Sequence, residues 1–117
     1  MRSFVRPVIF AVVLVGALST AAFAKTSINK INADPGRYYN KKVTIEGRVT
    51  DSYGVLGEGA YEVDDGTGRI WVVAERAVPA RGAYVEAKGH VVTGFVYRGR
   101  NLAAAIRETG RKAKDKR

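Results

Sequence analysis

The sequence has no cysteine, a single histidine and three prolines among its 117 residues. The absence of cysteine excludes disulfides, a lipid-modified N-terminal cysteine and a His/Cys metal cluster. Acidic residues are also few, 11 against 20 lysines and arginines, so the formal net charge is +9. An excess of this sign favours anionic partners such as nucleic acid, anionic lipid, lipopolysaccharide or acidic glycan.

Long apolar runs are missing as well, and the one candidate, residues 8–18, is shorter than the roughly 20 residues that a membrane span needs. Two arginines precede this run, and the small residues of Ala22-Phe23-Ala24 follow it. This pattern is typical of a signal peptide over residues 1–24, cleaved after Ala24. We therefore expect a periplasmic or secreted protein with no stable membrane span after cleavage. An uncleaved N-terminal anchor is the alternative.

Beyond the predicted signal peptide, apolar residues alternate with polar ones in several short segments. The alternation predicts five strands that begin near residues 43, 61, 70, 84 and 102. The glycine-rich residues 51–59 predict a loop, and Asp65-Gly66-Thr67-Gly68 predicts a hairpin turn. Gly89 and Gly94 are predicted bulge or bend points in the fourth strand.

Short segments flank these strands on both sides. Ile28 and Ile31 share one face of a predicted helix, which Pro35-Gly36 ends. Five short strands bent by glycines cannot bury their faces as a flat sheet, so we predict a closed barrel over residues 25–108. Residues 109–117 are strongly basic and predict a disordered tail, either solubilising or an electrostatic arm.

Three segments, residues 39–49, 61–72 and 79–91, resemble the OB-fold of nucleic-acid-binding domains, including the tRNA-anticodon-binding type. Their patterns are V-x-I-x-G-x-V, then aromatic-x-V-x-D-x-T-G-x-I-x-V, then P-x-x-G-x-x-V-x-x-x-G-x-V. In length and plan the chain is also similar to small exported bacterial OB-fold proteins. The resemblance implies an all-β, five-stranded OB-fold barrel with a short N-terminal helix. Such barrels bind DNA, RNA, oligosaccharides or proteins.

Residues suited to catalysis are few. His90 is the only histidine, and Asp64-Asp65 is the only pair of adjacent carboxylates. Neighbouring strand residues point to opposite faces, so this pair is poorly placed to share a proton or a metal, and Asp65 reads as a turn residue. We therefore predict a non-catalytic protein with no catalytic residues, no metal and no cofactor.

Binding residues are easier to find, because an OB-fold usually presents the outer face of strands two and three together with two hairpin loops. An aromatic ring beside cations on that face suits base stacking, and a glycine in the last hairpin lets a phosphate approach. The candidate ligand-binding residues are Arg48, Tyr53, Arg69, Trp71, Tyr97, Arg98 and Arg100.

Alternative interpretations stay open for these residues. Trp71 could pack under the N-terminal helix or the C-terminal tail, and Arg98 and Arg100 could form an ordinary solvated turn. Glu46, Glu62 and Asp64 on the same sheet favour a mixed or protein ligand. The predicted partner is single-stranded nucleic acid or another polyanion. The alternative is an envelope protein or small ligand bound in an envelope-stress role, and the oligomeric state is left open.

Overall fold

The structure, a computed structural model, describes residues 25–55, 57–97 and 99–115. For residues 55, 95–97 and 100–102 it describes the backbone alone. The predicted signal peptide lies outside the described residues. Within them, no helix is long and apolar enough to cross a membrane.

Two short helices precede five strands. The elements are α1 (Ile28–Ala33), α2 (Pro35–Tyr38), β1 (Lys42–Val55), β2 (Glu58–Asp64), β3 (Arg69–Ala74), β4 (Tyr84–Tyr97) and β5 (Arg100–Ala113). The strands close into a barrel in the order β1-β2-β3-β5-β4. Neighbouring strands are antiparallel except β3 and β5, which are parallel. The predicted all-β, five-stranded barrel is therefore confirmed, with a second short helix added.

The alternation along the strands builds the core. Ile70 and Val72 lie inside the barrel, and Trp71 between them faces outward. Ile28 and Ile31 are fully buried, so α1 covers part of the same core. The core residues are Ile28, Ile31, Val43, Ile45, Val49, Tyr61, Val63, Ile70, Val72, Ala74, Val85, Ala87, Val91, Ala104 and Ile106. Burial of these side chains supplies the main stabilisation, at about 25 cal/mol per Å² of apolar surface.

The turn between β2 and β3 fixes α1 on the barrel. Oδ2 of Asp65 accepts a hydrogen bond from the backbone N–H of Ile28 at 2.9 Å, and Oγ1 of Thr67 accepts one from Asn29 at 3.1 Å. The residue at the N-cap position, Ser27, makes no capping hydrogen bond with its side chain. The hairpin turn therefore satisfies N–H groups that the first helical turn leaves unpaired.

Replacing Asp65 tests this capping. Partial burial raises the pKa of Asp65, but hydrogen bonds from Thr67 and from the backbone of Ile28 and Gly68 outweigh burial, so the pKa lies below its ordinary value. A lowered carboxyl pKa contributes stability above the unfolded-state pKa of about 3.9, and this stability is lost as the pH falls through the folded-state pKa. We expect Asp65→Asn to lower the free energy of unfolding by about 1–2 kcal/mol at pH 7.

Urea unfolding at pH 7 and at pH 3 measures this difference, which should shrink at the lower pH. Glu58→Gln removes an exposed carboxylate and serves as the control, with little effect at either pH. An Asp65→Asn deficit of equal size at both pH values would contradict the capping role.

Glycines allow close approach where the barrel bends. A Cβ atom on Gly89 would meet the carbonyl oxygen of Arg107 and lie 2.7 Å from Cγ2 of Ile106. A Cβ atom on Gly47 would likewise meet the carbonyl oxygen of Asp64. The register between β4 and β5 shifts between Lys88 and Gly89, but the extra residue is Thr109 of β5 and not a residue of β4. Gly89 therefore lies opposite a bulge and does not form one, and its predicted role as a bend point stays a prediction.

The first hairpin is longer than predicted. Most of residues 51–59, predicted as a loop, is strand, since β1 continues to Val55 and β2 begins at Glu58. Gly57, with φ of 85°, lies in the turn that remains. Pairing across this hairpin satisfies backbone groups that an open loop would leave to water, which is why the strands extend.

The prediction of a disordered tail over residues 109–117 is wrong for residues 109–113. β5 runs to Ala113, which pairs with Val85 of β4. The backbone N–H of Lys114 also donates to the carbonyl of Tyr84 at 2.8 Å. The error arises because Thr109 is an extra, bulged residue in β5, and the positions whose side chains point inward shift by one residue after it. In the sequence, the end of the strand therefore has no regular apolar alternation and resembles a solvated run of charges.

Candidate functional site

The outer face of β1, β2 and β3 carries the predicted site residues whose side chains are described. Arg48, Asp64 and Arg69 lie directly opposite one another in the three strands and form one row across this face. Trp71 lies one row further along β3, and Tyr53 lies further along β1. We call this surface the β1–β3 face.

Tyr53 and Trp71 form an aromatic pair on the β1–β3 face. Their ring centroids are 5.7 Å apart and their planes are inclined by 19°, a stacked geometry. Trp71 is 8% exposed, whereas Tyr53 is half-buried. The expectation of an open tryptophan platform therefore needs correction. The indole faces away from the core but is covered, in part by Tyr53, and the small Ala105 opposite it on β5 leaves room for it against the sheet.

Arg48 and Arg69 are exposed but already have partners. Nη1 of Arg48 donates to the carbonyl of Gly82 at 2.8 Å, and its guanidinium lies 5.6 Å from the ring centre of Tyr84. Nε of Arg69 lies 3.2 Å from Oδ2 of Asp64. Exposed contacts of this kind are worth about 0–1 kcal/mol, so a ligand can replace them at little cost.

Acidic side chains share this face. Nη2 of Arg81 donates to Oδ1 of Asp51 at 2.9 Å, and this hydrogen bond holds the pKa of Asp51 below its ordinary value. Oε1 of Glu62 accepts a hydrogen bond from Oγ1 of Thr50 at 2.9 Å. Together with the pairing of Arg69, these contacts make the β1–β3 face mixed in charge rather than basic.

The hairpin between β4 and β5 holds the remaining predicted site residues. Tyr97 and Arg100 pair across it, and Gly99 lies in its turn with φ of 79°. Arg98 lies outside the described residues, and the side chains of Tyr97 and Arg100 are not described. The predicted role of these three residues in ligand binding stays a prediction.

A polar cluster around the buried carboxylate of Glu108 was not predicted from the sequence. The hydroxyl of Tyr61 donates to Oε2 of Glu108, and Nη1 of Arg111 donates to the same oxygen at 3.0 Å. The side chain of Glu108 is 1% exposed. Among the described residues its Oε1 has no hydrogen-bond partner, and Nε of Arg76 lies 3.6 Å away. We call Tyr61, Arg76, Glu108 and Arg111 the Glu108 cluster.

The Glu108 cluster is held from several sides. The guanidinium of Arg111 lies 5.3 Å from the ring centre of Tyr61, and its Nη2 donates to the carbonyl of Ala77 at 2.6 Å. Burial and the neighbouring carboxylate of Glu108 raise the pKa of Tyr61. Alternation from Ile106 could have placed Glu108 inside the barrel. The inward orientation of Arg111 could not be predicted in this way, because the bulge after Glu108 interrupts the alternation.

No constellation for metal chemistry stands out in the part of the chain that the structure describes. No group of three or more His, Cys, Asp or Glu residues there could hold a metal ion. His90 lies half-buried on the outer face of β4. The absence of catalytic activity stays a prediction.

Comparisons with known proteins concern the barrel as a whole. No family model and no curated protein matches the sequence. Among solved structures, the chain is similar to asparaginyl-tRNA synthetase from Pyrococcus horikoshii complexed with asparaginyl-adenylate, with a TM-score of 0.63 and 19% identity over 78% of this chain and 22% of the synthetase. A second structure of that synthetase gives a TM-score of 0.54 and 19% identity, over 66% of this chain and 20% of the synthetase.

A replication protein A heterotrimer bound to ssDNA also matches, with a TM-score of 0.49 and 21% identity over 64% of this chain and 58% of that one. The chain spans about a fifth of the length of the synthetase chains. At such identities the likeness concerns the fold alone. The resemblance carried by the three sequence segments is confirmed at that level: the five-stranded barrel is an OB-fold.

Proposed function

We propose that the protein is an exported, non-catalytic OB-fold module that binds single-stranded nucleic acid or another polyanion. The observation that carries the proposal is the Tyr53–Trp71 stack on the outer face of β1 to β3, in a chain of net charge +9. Aromatic rings on this face suit base stacking, and surplus cations suit a phosphate backbone. The more accessible ring is that of Tyr53, and the indole of Trp71 stacks against it on the side of the sheet.

The structural comparison supports a binding role through the fold. The synthetase that shares the fold acts on tRNA, and the matched part is about a fifth of its length. An OB-fold hosts many functions, so the proposal depends on the residues of the β1–β3 face rather than on the fold. Arg69 lies two residues before Trp71 in β3, and Arg48 lies in the same row as Arg69. Both can turn from their present partners to phosphates.

Export to the periplasm or exterior is part of the proposal and is supported by the signal-peptide pattern of residues 1–24. We expect protein recovered from the periplasm or medium of the expressing cells to begin at Lys25. Intact mass and N-terminal sequencing measure this directly. A chain recovered with its first 24 residues in the membrane fraction would instead support the anchor alternative.

The binding proposal predicts a large effect of Tyr53→Ala. Base stacking on one aromatic side chain is worth about 1–3 kcal/mol, so we expect a 5- to 150-fold loss of affinity for an oligonucleotide. Fluorescence anisotropy of a labelled single strand, titrated at two salt concentrations, measures both the loss and the salt dependence. Affinity of the unaltered protein should fall steeply as salt rises.

The matched control is Tyr39→Ala, because Tyr39 is 57% exposed and lies outside the β1–β3 face. We expect it to leave affinity unchanged. Equal losses in the two variants would count against stacking at Tyr53, and no binding by the unaltered protein at low salt would reject the function. Trp71→Ala is a poorer probe, since removal of a buried indole also destabilises the fold by about 3–5 kcal/mol.

A protein ligand is the second candidate, favoured by the mixed charge of the β1–β3 face. Opposite charges side by side, as in the pair of Arg81 and Asp51, suit a partner that itself carries both signs. Cross-linking in the envelope followed by binding to the purified partner tests this. The partner should be lost on Arg81→Glu and retained at salt concentrations that abolish oligonucleotide binding.

A further inference from the structure

A second outer surface, formed by β1, β4 and β5, is more basic than the β1–β3 face. Lys42, His90 and Arg107 lie directly opposite one another in these three strands. Lys88 and Lys112 continue the same outer surface along β4 and β5. We call these five residues the basic wall.

The basic wall differs from the β1–β3 face in how its charges are paired. Lys42, Lys88, Arg107 and Lys112 are exposed and form no ion pair within the described parts of the chain. The acids of this surface already have lysine partners. Glu46 lies 3.2 Å from Nζ of Lys25, and Glu86 lies 3.5 Å from Nζ of Lys114. The wall therefore keeps uncompensated positive charge, which the β1–β3 face does not.

A gap in the side chains makes part of this wall concave. Gly110 pairs with Lys88, and a Cβ atom on Gly110 would meet nothing within 4 Å. A shallow cavity of about 130 Å³ opens there, lined by Glu86, Lys88, Gly110, Arg111 and Lys112. An anionic group can approach the backbone between Lys88 and Lys112, with the charge of Glu86 offset by Lys114.

The basic wall is continuous with the aromatic pair. β5 lies between β3 and β4 in the barrel, and its Ala105 is directly opposite Trp71. Two residues further along, Arg107 is directly opposite Val73 on one side and His90 on the other. A bound strand that leaves the aromatic pair thus reaches Arg107 at the next outward position of β5.

We propose that the basic wall holds the phosphodiester backbone of a single-stranded nucleic acid, which continues from the Tyr53–Trp71 stack over Arg107 to Lys88 and Lys42. The inference rests on the proposed function. It places most of the electrostatic contacts with the nucleic acid on the basic wall and not on the β1–β3 face. A flexible strand can follow the curved barrel from the stack to these cations. A flat anionic bilayer cannot meet both surfaces at once.

The test compares two double variants that remove the same charge. Lys88→Gln/Arg107→Gln alters the basic wall, and Lys30→Gln/Arg37→Gln removes one exposed lysine and one exposed arginine from the helices. Binding of a labelled single strand is measured by anisotropy from 0.05 to 1 M salt. The slope of log K against log salt is about −0.7 per phosphate contact. The wall variant lacks two contacts, so its slope should be shallower than that of the unaltered protein by about 1.4.

The same relation gives about a fivefold contribution per contact at 0.1 M relative to 1 M salt, so two lost contacts weaken binding by about 25-fold at 0.1 M. The helix variant should keep the slope of the unaltered protein. Circular dichroism of both variants should show unchanged thermal unfolding, because none of the four side chains has an ion pair within the described residues. A loss confined to the wall variant supports the proposal.

Other outcomes overturn it. If both variants lose affinity equally, the contact is a diffuse charge effect and not the basic wall. If the wall variant retains oligonucleotide binding but loses binding to vesicles of phosphatidylglycerol, the wall faces a membrane. If the unaltered protein binds no oligonucleotide at any salt, the proposed function fails first. That result is distinct from binding that is intact but insensitive to Lys88 and Arg107.

Discussion

Glu108→Ala is expected to lower the free energy of unfolding by about 3–5 kcal/mol, the cost of removing one partner from a buried charge pair. The carboxylate is 1% exposed and accepts hydrogen bonds from Tyr61 and Arg111. Its removal leaves the guanidinium of Arg111, 17% exposed, without the anion that compensates it. Urea unfolding followed by far-UV circular dichroism measures the change.

Two control proteins separate burial of charge from loss of any carboxylate. Glu62→Ala removes a half-buried carboxylate that accepts a hydrogen bond from Thr50, and we expect a loss of about 1 kcal/mol. Tyr61→Phe, Glu108→Leu and Arg111→Met together replace the cluster by apolar groups, which often restores or improves stability. We therefore expect this triple variant to be more stable than Glu108→Ala alone.

Equal losses for Glu108→Ala and Glu62→Ala would contradict the assignment of Glu108 as a buried anchor. A triple variant no more stable than Glu108→Ala would show that shape, and not uncompensated charge, decides stability at this end of β5. In either case the measured quantity is the free energy of unfolding at pH 7.

Gly89→Ala is expected to cost about 3 kcal/mol, at the upper end of overpacking effects. The new Cβ atom meets the carbonyl oxygen of Arg107, which is backbone and cannot rotate away, and it crowds Cγ2 of Ile106 at 2.7 Å. The strands β4 and β5 must therefore separate where their pairing is needed to close the barrel. Thermal and urea unfolding measure the loss.

Gly110→Ala is the matched control, because Gly110 lies in the neighbouring strand and has open space at its Cβ position. We expect a change within about 0.5 kcal/mol. Similar losses at the two positions would mean that glycine is required for flexibility of the chain. Close approach of β5 would then not explain the requirement at Gly89.

Much of the fold could be predicted from the sequence because period-two alternation reports which side chains enter a core. Ile70 and Val72 predicted the inner face of β3, and the spacing of Ile28 and Ile31 predicted the helix that covers part of it. Turns with a characteristic local sequence could also be predicted, as in the hairpin turn at Asp65. Its capping of α1 could not be predicted, because that contact joins residues 37 positions apart.

The candidate site was predicted less well, since exposure depends on neighbours in other strands. Alternation placed Trp71 on the outer surface, but its cover by Tyr53 requires the pairing of β1 with β2 and of β2 with β3. The charges posed the same problem. Arg69 was predicted to be available to a ligand, and its pairing with Asp64 became visible once the strands were placed side by side.

The end of β5 shows the effect of a single inserted residue. Without the bulge at Thr109, residues after Glu108 read as alternating solvated charges. With it, Arg111 turns toward the interior and Lys112 stays outside. A period of two cannot report such a shift, because the pattern on each side of the bulge is regular on its own.

The parallel pairing of β3 with β5 makes the last strand the one that closes the cylinder. β5 must therefore be synthesised before the sheet edges can be sealed, and contacts between distant segments make that step slow. An open chain of this kind is a suitable passenger for a translocation channel that accepts only unfolded polypeptide. Under the proposed export, folding would then finish on the far side of the membrane, with no disulfide needed to lock it.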